Sequence, residues 1–290
     1  MQFFARTGAA LLALSAGAAQ AVTLVGINSQ NQLTRFDTAN IGAAVNKDIS
    51  GLDAGDRFVG IDTRPSDGKI YGVTLSNRLY TLDEMTGATS FVANLSSAVV
   101  QGNLAYGLDF NPVADAGTGA SLRLISSAGG NFAVNALTGA VGNAANTVAP
   151  GYTAVAYTNS MPGQAGAPAG GTALYYIDSA NDTLAFASSA FNTPTITTIG
   201  SLGVDVLRAN GFEILGNGQA WAALNVDAGP ALTTALYSID LSTGQASLAG
   251  AYNGTLSGLT VSAVPEPQTY AMLLLGLLAV GGVVRRRARV

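Results

Sequence analysis

Apolar residues in the body of this chain come in short runs broken by Gly, Asn, Asp and Thr-Gly, the pattern of short strands joined by tight turns. One run returns. Val59-Gly60-Ile61-Asp62, Tyr106-Gly107-Leu108-Asp109, Thr153-Ala154-Val155-Ala156, Asn210-Gly211-Phe212-Glu213 and Ser257-Gly258-Leu259-Thr260 open five similar segments. Their second positions, 60, 107, 154, 211 and 258, are spaced by 47, 47, 57 and 47 residues. A second strand is expected at 69–75, 121–127, 172–178 and 219–225, and a third at 78–83, 131–135, 183–187 and 235–240. Thr86-Gly87, Thr138-Gly139 and Thr243-Gly244 then turn the chain into a fourth, as at 88–93 and 245–251.

Four short strands in about 47 residues match the unit of a β-propeller, whose blades take roughly 40–50 residues each. The two ends of the repeat complete each other. Residues 22–28 and 32–37 read as a second and third strand lacking a first, while 257–263 is a first strand with no blade after it. Pairing the N-terminal and C-terminal strands completes a fifth blade and removes open sheet edges. The expectation is therefore all-β: a single propeller of five four-stranded blades over 22–263, in preference to two separate sandwiches. The ten extra residues of the third complete unit fall in a Gly-, Pro- and Ala-rich stretch, 161–171, read as a surface loop.

Both ends of the chain read as addresses. Residues 1–21 have the order of a secretory signal: Arg6, an apolar stretch at 8–19, then Ala19-Gln20-Ala21 as a small-x-small cleavage site for signal peptidase. At the other end, Val264-Pro265-Glu266-Pro267 precedes an uncharged run over 268–284 and then Arg285, Arg286, Arg287 and Arg289. As a helix that run would be about 25 Å long, just short of a ~30 Å hydrocarbon core, and predicts one C-terminal transmembrane helix. The arginines would stop it on the cytoplasmic side, which puts the body across the inner membrane.

A Val-Pro-Glu-Pro motif, a short apolar helix and a terminal arginine cluster, in that order over 264–290, resemble the PEP-CTERM sorting signal of Gram-negative bacteria. The resemblance implies a transient stay in the inner membrane, removal of the tail by an exosortase, and a mature form at the outer surface or in the extracellular matrix. It also makes Pro265, Glu266 and Pro267 recognition residues for another enzyme. Gly60–Pro65 and Gly107–Pro112 resemble motifs of an uncharacterised family of secreted bacterial propeller-like domains, over roughly 23–262. That family has no assigned activity, and Ala156 and Glu213 depart from it where the earlier units carry Asp.

Composition narrows the chemistry. The chain has no Cys and no His, which removes thiolate nucleophiles, His-based triads and nearly all catalytic zinc sites. Losing both ends takes five of thirteen basic residues and one of seventeen acidic ones, leaving eight against sixteen. An acidic body argues against nucleic acid as a partner. Asp62 and Asp109, at equivalent positions on the strand nearest the channel, could form a ligand mouth with Arg64, Asn111 and Arg123. Alternatively, the aspartates cap the turns before Pro65 and Pro112 with the arginines paired to them. Asp53, Asp56 and Asp67 invite a calcium reading, but no calcium-loop spacing is present, and no metal or cofactor is expected. Glu84 is expected in an exposed turn, and Tyr71, Tyr80, Tyr106, Tyr175 and Tyr237 in the core. The expectation is a non-catalytic body that binds extracellular polysaccharide or protein. The alternative is a carboxylate-based glycan hydrolase or lyase, with Glu213 and Asp109 as its best acids.

Overall fold

The computed structural model describes residues 21–263 except 117–118, 165 and 228–231. Residues 1–20 and 264–290 lie outside the described residues, and with them the expected leader (all but its last position), sorting motif, membrane helix and arginine stop. Among the described residues no helix is long and apolar enough to cross a membrane.

The chain opens with β1 (Thr23–Asn28), β2 (Gln32–Asp37) and β3 (Asn40–Asp48). The next unit is β4 (Phe58–Thr63), β5 (Ile70–Thr74), β6 (Arg78–Leu82) and β7 (Thr89–Asn94). Then come β8 (Tyr106–Phe110), the one-turn helix α1 (Pro112–Asp115), β9 (Ser121–Ser126), β10 (Gly130–Asn135) and β11 (Val141–Asn146). The fourth unit is β12 (Tyr152–Tyr157), β13 (Leu174–Asp178), β14 (Thr183–Ala187) and β15 (Thr197–Ser201). The last comprises β16 (Arg208–Ile214), β17 (Ala220–Asp227), β18 (Leu232–Ile239) and β19 (Ala246–Ala251), and β20 (Leu256–Val261) follows it.

These strands form five four-stranded antiparallel sheets, and β20 joins the first as its inner strand in the order β20-β1-β2-β3. The register sets Leu24 opposite Val261 and Gly26 opposite Leu259, so the two ends of the body are zipped together. The inner strands pack side by side in a ring, β20 on β4 on β8 on β12 on β16 and back to β20. The fold is thus a five-bladed propeller closed by its N- and C-terminal strands.

The apolar interior lies between blades. Val25, Ile27 and Leu33 of the first blade meet Phe58, Ile61 and Tyr80 of the second, and Tyr71 and Val73 meet Leu108, Leu122 and Leu124 of the third. Inner strands therefore have both faces covered: every residue of β8 and β12 is buried, whereas the outer strand β7 has none fully buried. This is why alternation is weak in the inner strands. Tyr71, Tyr80, Tyr106 and Tyr237 are buried as expected, and the half-buried Tyr175 packs on the same core.

Two recurring features follow from local chemistry. In the turns between third and fourth strands, Asp83, Asn135 and Asp240 each accept from the amides two and three residues on, which sets up the Thr-Gly turn. Gly139 closes one such turn at φ 71° while a Cβ there would lie 2.2 Å from Asn94 O of the preceding blade. On the axis, a Cβ at Gly107 would lie 2.7 Å from Ala154 Cα, and one at Gly211 would lie 2.5 Å from Leu259 N. The repeated glycine lets neighbouring inner strands approach this closely.

Candidate functional site

The fourth position of the repeated segment holds Asp62, Asp109, Ala156, Glu213 and Thr260, one on each inner strand. In four of the five blades this side chain reaches the next blade and accepts from the amide one residue beyond the equivalent position. Asp62 Oδ2 accepts from Phe110 N at 2.7 Å, and Asp109 Oδ1 from Tyr157 N at 3.0 Å. Glu213 Oε2 accepts from Val261 N at 3.1 Å, and Thr260 Oγ1 from Thr63 N at 2.8 Å. Ala156 has no polar atom to continue the relay. Inner strands of adjacent blades carry no mutual ladder, so these bonds stitch them side by side around the axis.

Three of the relay groups are acids, and they converge. Asp62, Asp109 and Glu213 each bring a carboxylate oxygen within 4.8 Å of the others, at 3%, 1% and 2% exposure. Thr260 Oγ1 bridges two of them, 2.9 Å from Asp62 Oδ1 and 3.1 Å from Glu213 Oε2. Burial, reinforced by the Glu213 charge, holds Asp62 well above the usual carboxylate range. Burial and then the charges of Asp62 and Glu213 do the same to Asp109. Burial lifts Glu213 to about 7 despite the hydrogen bonds from Thr260 and Val261 that favour its charged form. Three carboxylates this close retain protons at neutral pH and share them.

Oxygen donors of this kind suit a hard cation, but three carboxylates supply only part of the six to eight ligands calcium takes. Thr260 Oγ1 is the nearest further donor, and its proton and lone pairs already serve Asp62, Thr63 and Glu213. Within the cluster, Thr260 Oγ1 and the raised carboxylates supply the protons and acceptors that bind its members to one another.

The expected mouth is divided by the structure. Asp62 and Asp109 come together, but inside the channel and with Glu213 as the third member. They do not cap the turns before Pro65 and Pro112, because their oxygens are taken by amides of the following blades. Arg64 is buried against Asp115 at 2.6 Å and reaches Asp67 at 3.3 Å, and so pairs with neither axial aspartate. Asn111 caps α1 through Val113 N and Ala114 N. Arg123 is buried among Asn131, Asn192 and Tyr157.

The acidic stretch disperses as well. Asp53 is exposed and pairs with Arg78, Asp56 accepts from Arg57 N and Ser76 N, and Asp67 takes Tyr71 Oη and Arg64. Glu84 sits in the expected turn between exposed Asp83 and Met85, but its side chain folds back to 8% exposure, 3.5 Å from Arg35 Nε, and accepts from Ser262 Oγ. Thr260 was missed by sequence reasoning, although it occupies the same repeat column as the aspartates.

A cavity of about 280 Å³ opens where the inner strands begin. Arg57, Phe58, Tyr106, Arg208 and Ser257 line it from four blades, with Asn28, Asn31 and Asn225 from the loops and second strands alongside. The carboxylate cluster lies farther along those same strands.

A model described as "Domain of unknown function (DUF4394)" matches residues 32–260, and one described as "PEP-CTERM protein-sorting motif" matches 263–288. No curated protein matches the chain. Among solved structures, a calcium-binding protein, regucalcin, from Agrobacterium tumefaciens is similar at 15% identity and a TM-score of 0.42, over 75% of this chain and 66% of that one. A protein of unknown function from Bacteroides thetaiotaomicron is similar at 11% identity and 0.47, over 80% and 58%. A GH74 xyloglucanase from Xanthomonas campestris is similar at 16% identity and 0.45, over 79% and 36%. The chain thus spans under two thirds of each of these three structures.

Proposed function

The chain belongs to the family described as domain of unknown function (DUF4394) and carries a PEP-CTERM sorting motif, and from that premise we propose that its propeller is a non-catalytic binding module displayed outside the cell. The motif implies export and processing by an exosortase, with sorting to the surface of a Gram-negative bacterium. Delivery to the extracellular matrix, where polysaccharide is the abundant partner, is the finer part of this reading.

One observation carries it. The convergent acids on the axis are buried, each bound to a neighbouring strand or to another member of the cluster, and within 4.8 Å of one another. Glycoside hydrolysis needs two carboxyl groups on either side of a sugar bond, about 5–5.5 Å apart for retention or about 6.5–9.5 Å for inversion. Acids that are 1–3% exposed and tied to the amides of neighbouring strands offer no open face to a sugar and serve the ring instead. The test incubates the exported chain with acidic and neutral polysaccharides and measures both retention and newly released chain ends. Retention without release is expected. Release that disappears in Asp109→Asn would instead establish the carboxylate hydrolase or lyase. The intact mass of the chain recovered from its host tests the sorting half: ends near Val22 and Pro265–Pro267 are expected, and a chain still running to Val290 would refute it.

A further inference from the structure

The cavity at the start of the inner strands has a chemistry of its own. We propose that it binds the carboxylate-bearing ring of an acidic saccharide, a hexuronate unit, with Arg57 and Arg208 as its anion contacts. The proposal rests on the binding reading above and names its ligand class.

Five of the body's eight basic side chains are already committed. Arg35 meets Glu84, Arg64 meets Asp115, Arg78 meets Asp53, Lys47 donates to Met85 O, and Arg123 donates to Asn131 and Asn192. Arg57 and Arg208 are exposed, and among the described residues neither side chain has an ion pair or hydrogen bond. They sit 151 positions apart in the chain, yet both line this one cavity. Two unpaired guanidinium groups in a strongly acidic body are a local exception to its charge. Planar, bidentate donors of this kind match a carboxylate.

The remaining lining matches hydroxyl groups. Asn103 and the NH₂ of Asn225 line the cavity with the arginines, and Ser257 Oγ, which donates to Ile27 O, keeps its lone pairs there, whereas Asn31 is spent on Asp56 O and Phe58 N. The two large aromatics, Phe58 and Tyr106, are buried in the walls and leave no broad stacking face. A few convergent polar groups in a cavity of about 280 Å³ suit one small polar unit. The volume is too small for a folded partner and leaves the rest of a glycan chain to run outward from the mouth.

The experiment measures binding of trigalacturonate, with maltotriose as the neutral probe, to the exported chain recovered from its host. Arg57→Gln and Arg208→Gln are compared with it, with melting temperature as the control for folding, since both residues are exposed. Trigalacturonate is expected to bind at least about tenfold tighter than maltotriose, each variant to weaken it about tenfold or more, and salt to weaken it further. Equal binding of the two probes, no binding of trigalacturonate, or unchanged affinity in both variants would overturn the proposal. Retention of neutral glycans alone would overturn this ligand assignment and leave the non-catalytic module standing. Cleavage of a bound uronide, with the arginine effects intact, would support this site and sink the non-catalytic reading.

Discussion

Raising the pH from 5 to 8 should weaken this fold, opposite to the usual behaviour of proteins whose carboxylates are paired with cations. The groups responsible are Asp62, Asp109 and Glu213, which face one another and Thr260. For Glu213, burial moves the folded-state value from 4.5 to about 7. The folded state then holds more protons than the unfolded chain across that interval, so stability is fully present below about 4.5 and is lost as pH rises through about 7. A shift of that size corresponds to about 3 kcal/mol. Asp62 and Asp109 move in the same direction, and the three titrate as one unit. Urea unfolding of the exported chain at pH 5 and pH 8 should therefore differ by about 3 kcal/mol or more, or by roughly 6 °C or more in melting temperature. Glu213→Gln should reduce the difference by Glu213's own share and leave the part that the burial of Asp62 and Asp109 supplies. The amide oxygen can keep the bonds from Thr260 and Val261, and its NH₂ can donate to ionised Asp62. Stability that is flat or rising from pH 5 to 8 in the unaltered chain would refute the argument.

Further predictions address the ring and its closure. Thr260→Val should cost about 1–3 kcal/mol in urea unfolding, because Thr63 N loses its acceptor, while Thr260→Ser should stay near the parent. Gly107→Ala should cost about 1–3 kcal/mol, since the new methyl meets Ala154 backbone. Gly60→Ala should cost less, because its methyl meets the Leu108 side chain, which can turn aside; equal losses would contradict the backbone argument. Glu84→Ala should speed amide hydrogen exchange in β20, next to its partner Ser262, with little change in melting temperature.

Much of the fold was legible because a blade is a local object. The 47-residue spacing, the Thr-Gly turns and the incomplete first unit sufficed for five blades, and most strand limits agree to one or two residues, as with Ile70–Thr74 inside the expected 69–75, while β18 begins at Leu232, three residues before the expected 235. The site was less legible because it is made between blades. Phe110 N, the donor to Asp62, lies 48 residues on, and nothing near Asp62 in the chain marks it. The axial aspartates therefore looked like turn caps, and Arg64 looked like their partner, although Asp115 on α1 takes it. Sequence reasoning placed Asp62 and Asp109 in one column but read the Glu213 and Ala156 variants as departures. In the ring the first joins the cluster and the second interrupts the relay. Arg57 and Arg208 left no trace, since only the propeller closure brings the starts of β4 and β16 to one mouth.

The zip between β1 and β20 also sets an order of assembly. A chain crossing a membrane N-terminus first delivers Thr23 early and Leu256 last, so β1 must wait with a bare edge while more than two hundred residues follow. Such an edge invites wrong pairing with other chains for as long as it is open. Only Ser262 and Ala263 lie between the closing strand and Val264 in the sequence. A cut made before β20 has paired sets free an open, adhesive chain, whereas a later cut sets free a sealed one. The order of these two events therefore decides which of the two forms is released.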